Sequence, residues 1–441
     1  MTGRAQALAV HIPEMLDPDG WYVPGYSYTY PVTAVTSLPL RADLLGQEPY
    51  GAPQLDVPVL LNVNENPYAP PQVVVETIGQ MVADAVRGLN RYPDRDFPAL
   101  RQDLARYLAR ESQVSVQADH IWAANGSNEV MLHILQAFGG PGRTALSFAP
   151  TYSMYSEYAR DTHTQWAVGD RAADFTLNID AAVADIHRIK PSVIFLASPN
   201  NPTGTALSCK EIEAICAAAS QVQVEGSAGA QHKAHPVVVV DEAYAEFRRR
   251  GTASALELLG DFPHLVVTRT MSKAFAAAGL RLGYAVASDE IVNSLTLVRL
   301  PYHLSAVTQA AARGALAHSD LLLAQVDQLR DERDKLVSWL REQYGPDGQL
   351  LEVADSDANF AFFGSFPDRH AIWQGLLERG VLIREVGPQG WLRVSIGTPE
   401  ETSRFRDALT AVMASHQVGS TSARPTPTAQ FTATTQCTTS A

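Results

Sequence analysis

A chain of 441 residues, 46% hydrophobic and 18% charged, is long enough for two or three globular domains with sizeable cores. Its formal net charge of −13 argues against non-specific nucleic-acid binding, and no run approaches the ~18 uninterrupted apolar residues of a membrane span. The cysteines Cys209, Cys216 and Cys437 show neither a metal nor a redox spacing, which suits a reducing cytoplasm, and Cys216 lies on the apolar face of a predicted helix as a small core residue.

In chain order, residues 1–37 are rich in Pro, Gly and Tyr, hold no period and lack the apolar core of a secretory signal, so a disordered N-terminal extension is expected. Residues 38–66 are read as an N-terminal arm, 67–302 as a large domain, 303–416 as a small one, and 417–441, rich in Ser, Thr and Ala, as a disordered tail. Ile121–Ala123 predict a strand running into Asn125-Gly126-Ser127-Asn128. A helix follows, with Met131, Ile134, Leu135 and Phe138 spaced i, i+3, i+4, i+7 and a stop at Gly139-Gly140. Ala145–Phe148 and Val193–Ala197 predict two more strands, the second leading into Ser198-Pro199-Asn200-Asn201-Pro202-Thr203-Gly204 and a helix opened by a Ser208/Glu211 capping box. Residues 224–234, with Gly226 and Gly229, read as a surface insertion before the Val237–Val240 strand; Leu265–Val267 and Gly283–Ala287 supply two further strands. Strands alternating with helices imply an α/β fold with a mostly parallel sheet between helical layers. Beyond it, Leu321–Tyr344 predict a long helix, and Asn359–Phe363, Val381–Ile383 and Trp391–Ile396 alternate as in a smaller α+β domain.

In open α/β sheets ligands bind beyond the carboxyl ends of the strands. Here those ends carry Asn125–Asn128, Asn201, Asp241, Tyr244 and Thr270–Lys273. Lys273 and Asp241 each follow a short β-branched run, and one cofactor needs both: pyridoxal phosphate takes a lysine as its covalent anchor and a carboxylate at its pyridine nitrogen. At ~4 Å and an effective dielectric near 20, that carboxylate stabilises the pyridinium by about 4 kcal/mol before desolvation. Tyr244 is placed either to reach the ring's phenolic oxygen or simply to pack, and Asn201 to hold the same oxygen. The backbone N–H groups of Gly126-Ser127-Asn128 at a helix start, the hydroxyls of Thr270 and Ser272 and the guanidinium of Arg281 form a phosphate site. Arg384 and Arg393 sit in apolar runs, where a charge is costly unless neutralised; each is either an internal salt bridge or a clamp for an anionic substrate. Tyr152, Tyr92 and Tyr50 are read as stacking or contact residues, or as packing. The histidines 133, 163, 187 and 303 lack metal spacing and are read as structural or surface residues.

Leu61-Asn62-Val63-Asn64-Glu65-Asn66-Pro67, Arg91-Tyr92-Pro93-Asp94, Ser198–Gly204, Asp241-Glu242-Ala243-Tyr244 and Ser272-Lys273-Ala274-Phe275 followed by Gly279-Leu280-Arg281 resemble the fold-type I pyridoxal-phosphate aminotransferases. More narrowly, the set is similar to the histidinol-phosphate aminotransferase subfamily, from about Leu38 to Met413. The resemblance implies that Lys273 binds the cofactor covalently, Asp241 pairs with the pyridine nitrogen, Tyr244 and Asn201 contact the phenolic oxygen, and Tyr152 stacks on the ring. It implies that Ser127, Asn128, Thr270, Ser272 and Arg281 hold the phosphate, joined by Tyr92 from the other subunit of a homodimer. It also implies that Arg393, with Arg384, Tyr50 and Asn66 near it, binds the substrate. Where family members often carry an acidic residue this chain has Asn128, so its backbone N–H is the expected contact. The activity implied is transfer of the amino group of histidinol phosphate to 2-oxoglutarate, giving imidazole-acetol phosphate and glutamate in histidine biosynthesis. An aromatic amino-acid aminotransferase and a threonine-phosphate-type decarboxylase share the scaffold. A pyridoxal-phosphate-binding regulator would need a DNA-binding domain, for which residues 1–37 are too short and irregular.

Overall fold

Val, Ile, Leu and Ala runs bounded by polar turns become strands because β-branched and small apolar side chains fill a sheet covered on both faces. The structure, a computed structural model, describes residues 38–47, 51–224 and 234–420, with backbone alone for 417–420. After β1 (Val59–Leu60) come the strands of the main sheet: β2 (Ile121–Ala124), β3 (Thr144–Ala149), β4 (Gln165–Asp170), β5 (Val193–Ala197), β6 (Val237–Asp241), β7 (Leu265–Thr270) and β8 (Gly283–Ala287). Their order is β2-β8-β7-β6-β5-β3-β4, and every pairing is parallel except those of β8. β5, β6, β7 and β8 are buried at every position, as two covering helical layers require.

The second sheet is antiparallel, in the order β12-β13-β10-β9, from β9 (Glu352–Val353), β10 (Phe360–Gly364), β12 (Arg384–Glu385) and β13 (Leu392–Ser395). The predicted strand 381–383 is shorter than expected: β11 (Val381–Leu382) leaves this sheet and pairs in parallel with β1. The predicted long helix runs Ser319–Leu340; Tyr344 instead forms a bridge with Leu350. The last helix runs from Pro399 to Ser420, past the tail boundary read at 417, while the remainder of the tail and the extension 1–37 lie outside the described residues. The insertion is closed at its base by the Val224–Ala234 bridge, and 225–233 lie outside the described residues. The Ser208/Glu211 capping box is present, and Cys216 is fully buried, its thiol pushed up to about 12 by burial.

Among the helices not foreseen from the sequence, Gln72–Val86 and Pro98–Glu111 pack near a third, Ala306–Leu316. The first crosses that helix at Gly314, where a Cβ would sit 3.0 Å from the Ile78 Cα.

Candidate active site

One edge of the main sheet gathers the chemistry. β2, β3, β5, β6 and β7 end there, and β8 begins there, with Gly283 in register with both Ala124 and Thr270. The chain crosses over in opposite senses after β3 and β5, which leaves a crevice between their ends. A cavity of about 260 Å³ fills that place, and the arm and the small sheet wall it from the other side.

Strand alternation sorts the residues at the ends of β6 and β7. Asp241 and Thr270 line the cavity, with Thr268 paired opposite Asp241. Glu242 and Arg269 belong to a buried network behind them. There Arg269 donates to Glu242 Oε2 from Nε (3.0 Å) and Nη2 (2.8 Å), and to Glu111 from Nη1 (2.5 Å); Arg248 and Ser254 complete the shell of Glu242. Such buried charges survive only because each is paired, and the pairing braces both strand ends.

Asp241 Oδ2 accepts from the buried Tyr155 hydroxyl at 2.8 Å, and Oδ1 accepts from Thr268 Oγ1 at 3.2 Å and Ala243 N at 3.2 Å. Burial raises its pKa, and these donors oppose that rise. Among the described residues no cationic side chain reaches Asp241. A buried carboxylate held this way suits a cationic ligand atom, as a protonated pyridine nitrogen would supply. Tyr155 stacks on Phe195 with centroids 4.7 Å apart, which fixes the hydroxyl; Tyr152 meets Tyr155 edge-on at 5.5 Å and lines the cavity.

Lys273 projects into the cavity and donates from Nζ to Val63 O at 2.9 Å. Burial, reinforced by Arg393 and Arg281, brings its amine down to about 8, so an appreciable neutral fraction exists near neutrality.

The anion cradle is built around glycine. Gly126 caps the helix Ser127–Phe138 with φ +85°, and a Cβ there would lie 2.7 Å from Arg281 Nη2. Only glycine lets the guanidinium lie over the helix N-terminus. A Cβ on Gly283 would likewise fall 2.0 Å from Ser127 N. Arg281 Nη1 donates to Ser272 Oγ at 3.3 Å, and Thr270 Oγ1 to Ser272 Oγ at 3.0 Å; Ser127 and Asn128 complete the lining. Donors outnumber acceptors here, the composition a phosphate monoester needs.

Across the cavity stand Arg393 and Arg384, cross-strand partners on β13 and β12. Arg393 donates to Asn201 Oδ1 at 2.6 Å and to Asn62 O at 2.8 Å, and its guanidinium carbon sits 5.3 Å from the Phe360 ring centre. Arg384 donates to Gly51 O at 3.0 Å.

The structure thus brings Lys273, Asp241, Tyr244, Asn201, Tyr152, Ser127, Asn128, Thr270, Ser272, Arg281, Arg384 and Arg393 around one cavity. Asn66 is not in its lining: its Oδ1 accepts from Tyr68 N at 3.0 Å in a local turn, and Asn62 and Asn64 line the cavity from the arm instead. Tyr92 does not line this chain's cavity; it is 80% exposed and stacks on Tyr302 at 4.5 Å. Tyr50 lies outside the described residues. Sequence reasoning missed Tyr155, Thr268 and Asn64. The Tyr152-x-x-Tyr155 spacing at a helix start was the one available signal for the first.

Comparison with known proteins fixes the class. The profile of the family "Aminotransferase class I and II" matches residues 57–409, and the chain belongs to this family. A histidinol-phosphate aminotransferase of Bifidobacterium longum is 57% identical over 378 residues, spanning 86% of this chain and 97% of its own. That of Thermobifida fusca is 58% identical over 376 residues, spanning 85% and 96%. The histidinol-phosphate aminotransferase from Sinorhizobium meliloti, solved in complex with pyridoxal-5'-phosphate, superposes with a TM-score of 0.69 at 23% identity, covering 81% of this chain and 92% of that one, a likeness of fold.

Proposed function

We propose that this chain transfers the amino group of histidinol phosphate to 2-oxoglutarate, using pyridoxal phosphate. The reading is supported by the convergence of Lys273, Asp241, Arg281 and Arg393 on one cavity in a chain 57% identical to a histidinol-phosphate aminotransferase along nearly that enzyme's whole length. When bound, the cofactor draws electrons from the Cα of the amine substrate and makes its proton removable.

The chain's residues supply the rest. Arg281, Ser272, Thr270 and the N–H groups of Ser127 and Asn128 bind the cofactor phosphate. Asp241, held by Tyr155 and Thr268, keeps the pyridine nitrogen protonated. Tyr244 and Asn201 would hold its phenolic oxygen, and Tyr152 would hold its ring. Lys273, which donates to Val63 O and has its pKa near 8, would be the base that takes up and returns the substrate's Cα proton. Arg393 grips the phosphate monoester in one half-reaction and the carboxylate of the 2-oxo acid in the other, with Arg384 beside it.

A cytoplasmic homodimer belongs to this reading. The dimer is supported by the exposed Tyr92 stacked on Tyr302, with Leu297 and Leu300 also exposed just before Tyr302 in the chain. In that dimer Tyr92 reaches the partner's cofactor phosphate. The division into arm 38–66, large domain 67–302 and small domain 303–416 is part of the same reading and is supported by the separation of the seven-stranded sheet from the four-stranded one, with β1 of the arm paired to β11. No helix among the described residues is long and apolar enough to cross a membrane.

The test is single-turnover spectroscopy of the cofactor-loaded protein. Histidinol phosphate should convert the absorbance far faster than phenylalanine, and phosphothreonine should release no carbon dioxide. Equal rates with phenylalanine would move the assignment to an aromatic aminotransferase.

A further inference from the structure

The arm places one buried amide against the site. Asn64 is 2% exposed and its backbone is left-handed, at φ +56°. It links three parts of the molecule. Its Nδ2 donates to the Tyr244 hydroxyl at 3.0 Å, its Oδ1 accepts from Ser395 Oγ at 2.9 Å, and its backbone O accepts from Asn359 Nδ2 at 3.0 Å. The orientation of the amide follows from its neighbours. Ser395 Oγ accepts the Asn64 backbone N–H at 2.8 Å and gives its own O–H to Oδ1 at 2.9 Å, which leaves the NH₂ for Tyr244.

We infer that Asn64 is a positioning residue that sets the polarity of the Tyr244 hydroxyl: by filling an acceptor site on the phenol oxygen, it commits the phenol proton to donation toward a ligand in the cavity that Tyr244 lines. A phenol can give or take a hydrogen bond, whereas the phenolic oxygen of pyridoxal phosphate is best stabilised by a donor. The φ of Asn64 fits this role, because Asn and Asp tolerate the left-handed region better than other side-chain-bearing residues. The inference rests on the pyridoxal-phosphate reading above.

Asn64→Asp tests it with little change of shape. As a carboxylate, the introduced side chain accepts from both Ser395 and Tyr244 and pulls the phenol proton away from the cavity. Once protonated, it can donate as the amide does. Equilibrium dialysis of pyridoxal phosphate against N64D and the unaltered protein should give a dissociation-constant ratio of roughly ten at pH 8.5, falling toward one as the introduced carboxyl is protonated at lower pH. The charged groups facing this corner, Lys273, Arg393, Asp241 and Glu65, are common to both proteins; the introduced carboxylate also acts on Lys273 and Arg393, and the Tyr244→Phe background below separates that effect from one carried by the hydroxyl. A ratio that stays near one at every pH, or a deficit that does not change with pH, would overturn the inference. A second arm uses Tyr244→Phe. In that background N64D should weaken cofactor binding no further, and a loss of the same factor as in the parent would mean that Asn64 does not act through the hydroxyl. If N64D fails to fold, Ser395→Ala, which frees the amide to turn, should weaken the cofactor two- to threefold with Tyr244 present and not at all in the Tyr244→Phe background; an equal loss in both backgrounds overturns the inference. Failure of the unaltered protein to bind pyridoxal phosphate would refute the cofactor reading itself, an outcome distinct from all of these.

Discussion

Arg393 on β13 donates to Asn201 Oδ1 in the loop after β5 at 2.6 Å, and this bond joins the small sheet to the main one across the cavity. It also aims the guanidinium, because the second terminal nitrogen is fixed on Asn62 O of the arm. On the function proposed above, Asn201 would therefore link an anion held at Arg393 to the cofactor side of the cavity.

Arg393→Lys keeps the charge and removes the two-nitrogen fork. We expect KM to rise by roughly 10²-fold for both histidinol phosphate and 2-oxoglutarate, and by more in Arg393→Ala. Steady-state kinetics with each substrate varied in turn would check this. A change confined to one substrate would show that the two anions do not share the clamp.

Tyr155→Phe removes one of the donors holding the Asp241 carboxylate while keeping the stack on Phe195. The lost bond lets burial push the Asp241 pKa up further. Pyridoxal phosphate should bind about tenfold more weakly, because a carboxylate nearer to neutrality holds a pyridinium less well. The check is a cofactor titration followed by absorbance; unchanged affinity would assign Tyr155 to packing alone.

Covalent capture of pyridoxal phosphate should quicken as pH rises through about 8, because the neutral amine of Lys273 is the attacking species. Borohydride should fix the label at that residue, and Lys273→Ala should show no mass increment. Folding stability carries the same signature. The folded pKa is about 8 against 10.5 for the free side chain, so the unfolded state holds more protons between those values, and stability attributable to this group rises with pH across that window.

His133 gives an acid-side prediction. Its Nδ1 accepts from Trp122 Nε1 at 3.2 Å, and burial lowers its pKa to about 4 from 6.5. The unfolded chain takes a proton in that window that the folded one refuses, so stability falls as pH drops from 6.5 toward 4. In His133→Gln the loss between pH 7 and 4.5 should be smaller by about 2–3 kcal/mol, measured from urea midpoints.

The sequence by itself determined the parallel core, six of its seven strands in chain order, and the polar strand ends, because β-branched runs, capping residues and turn residues act through their immediate neighbours; the edge strand β4, mostly not buried, carries no such run. Lys273, Asp241 and the Gly126 turn were legible for that reason. Tertiary structure alone decided which groups meet them from afar. Tyr155 reaches Asp241 from 86 positions away, and Ser395 reaches Asn64 from 331 away, in a buried left-handed turn that no local pattern marks. The same holds for the arm: β1 joins β11, so that Asn62, Val63 and Asn64 rather than Asn66 enter the site. Hydrogen bonds of such long sequence separation depend on how layers pack, and packing is a property of the whole chain rather than of any segment.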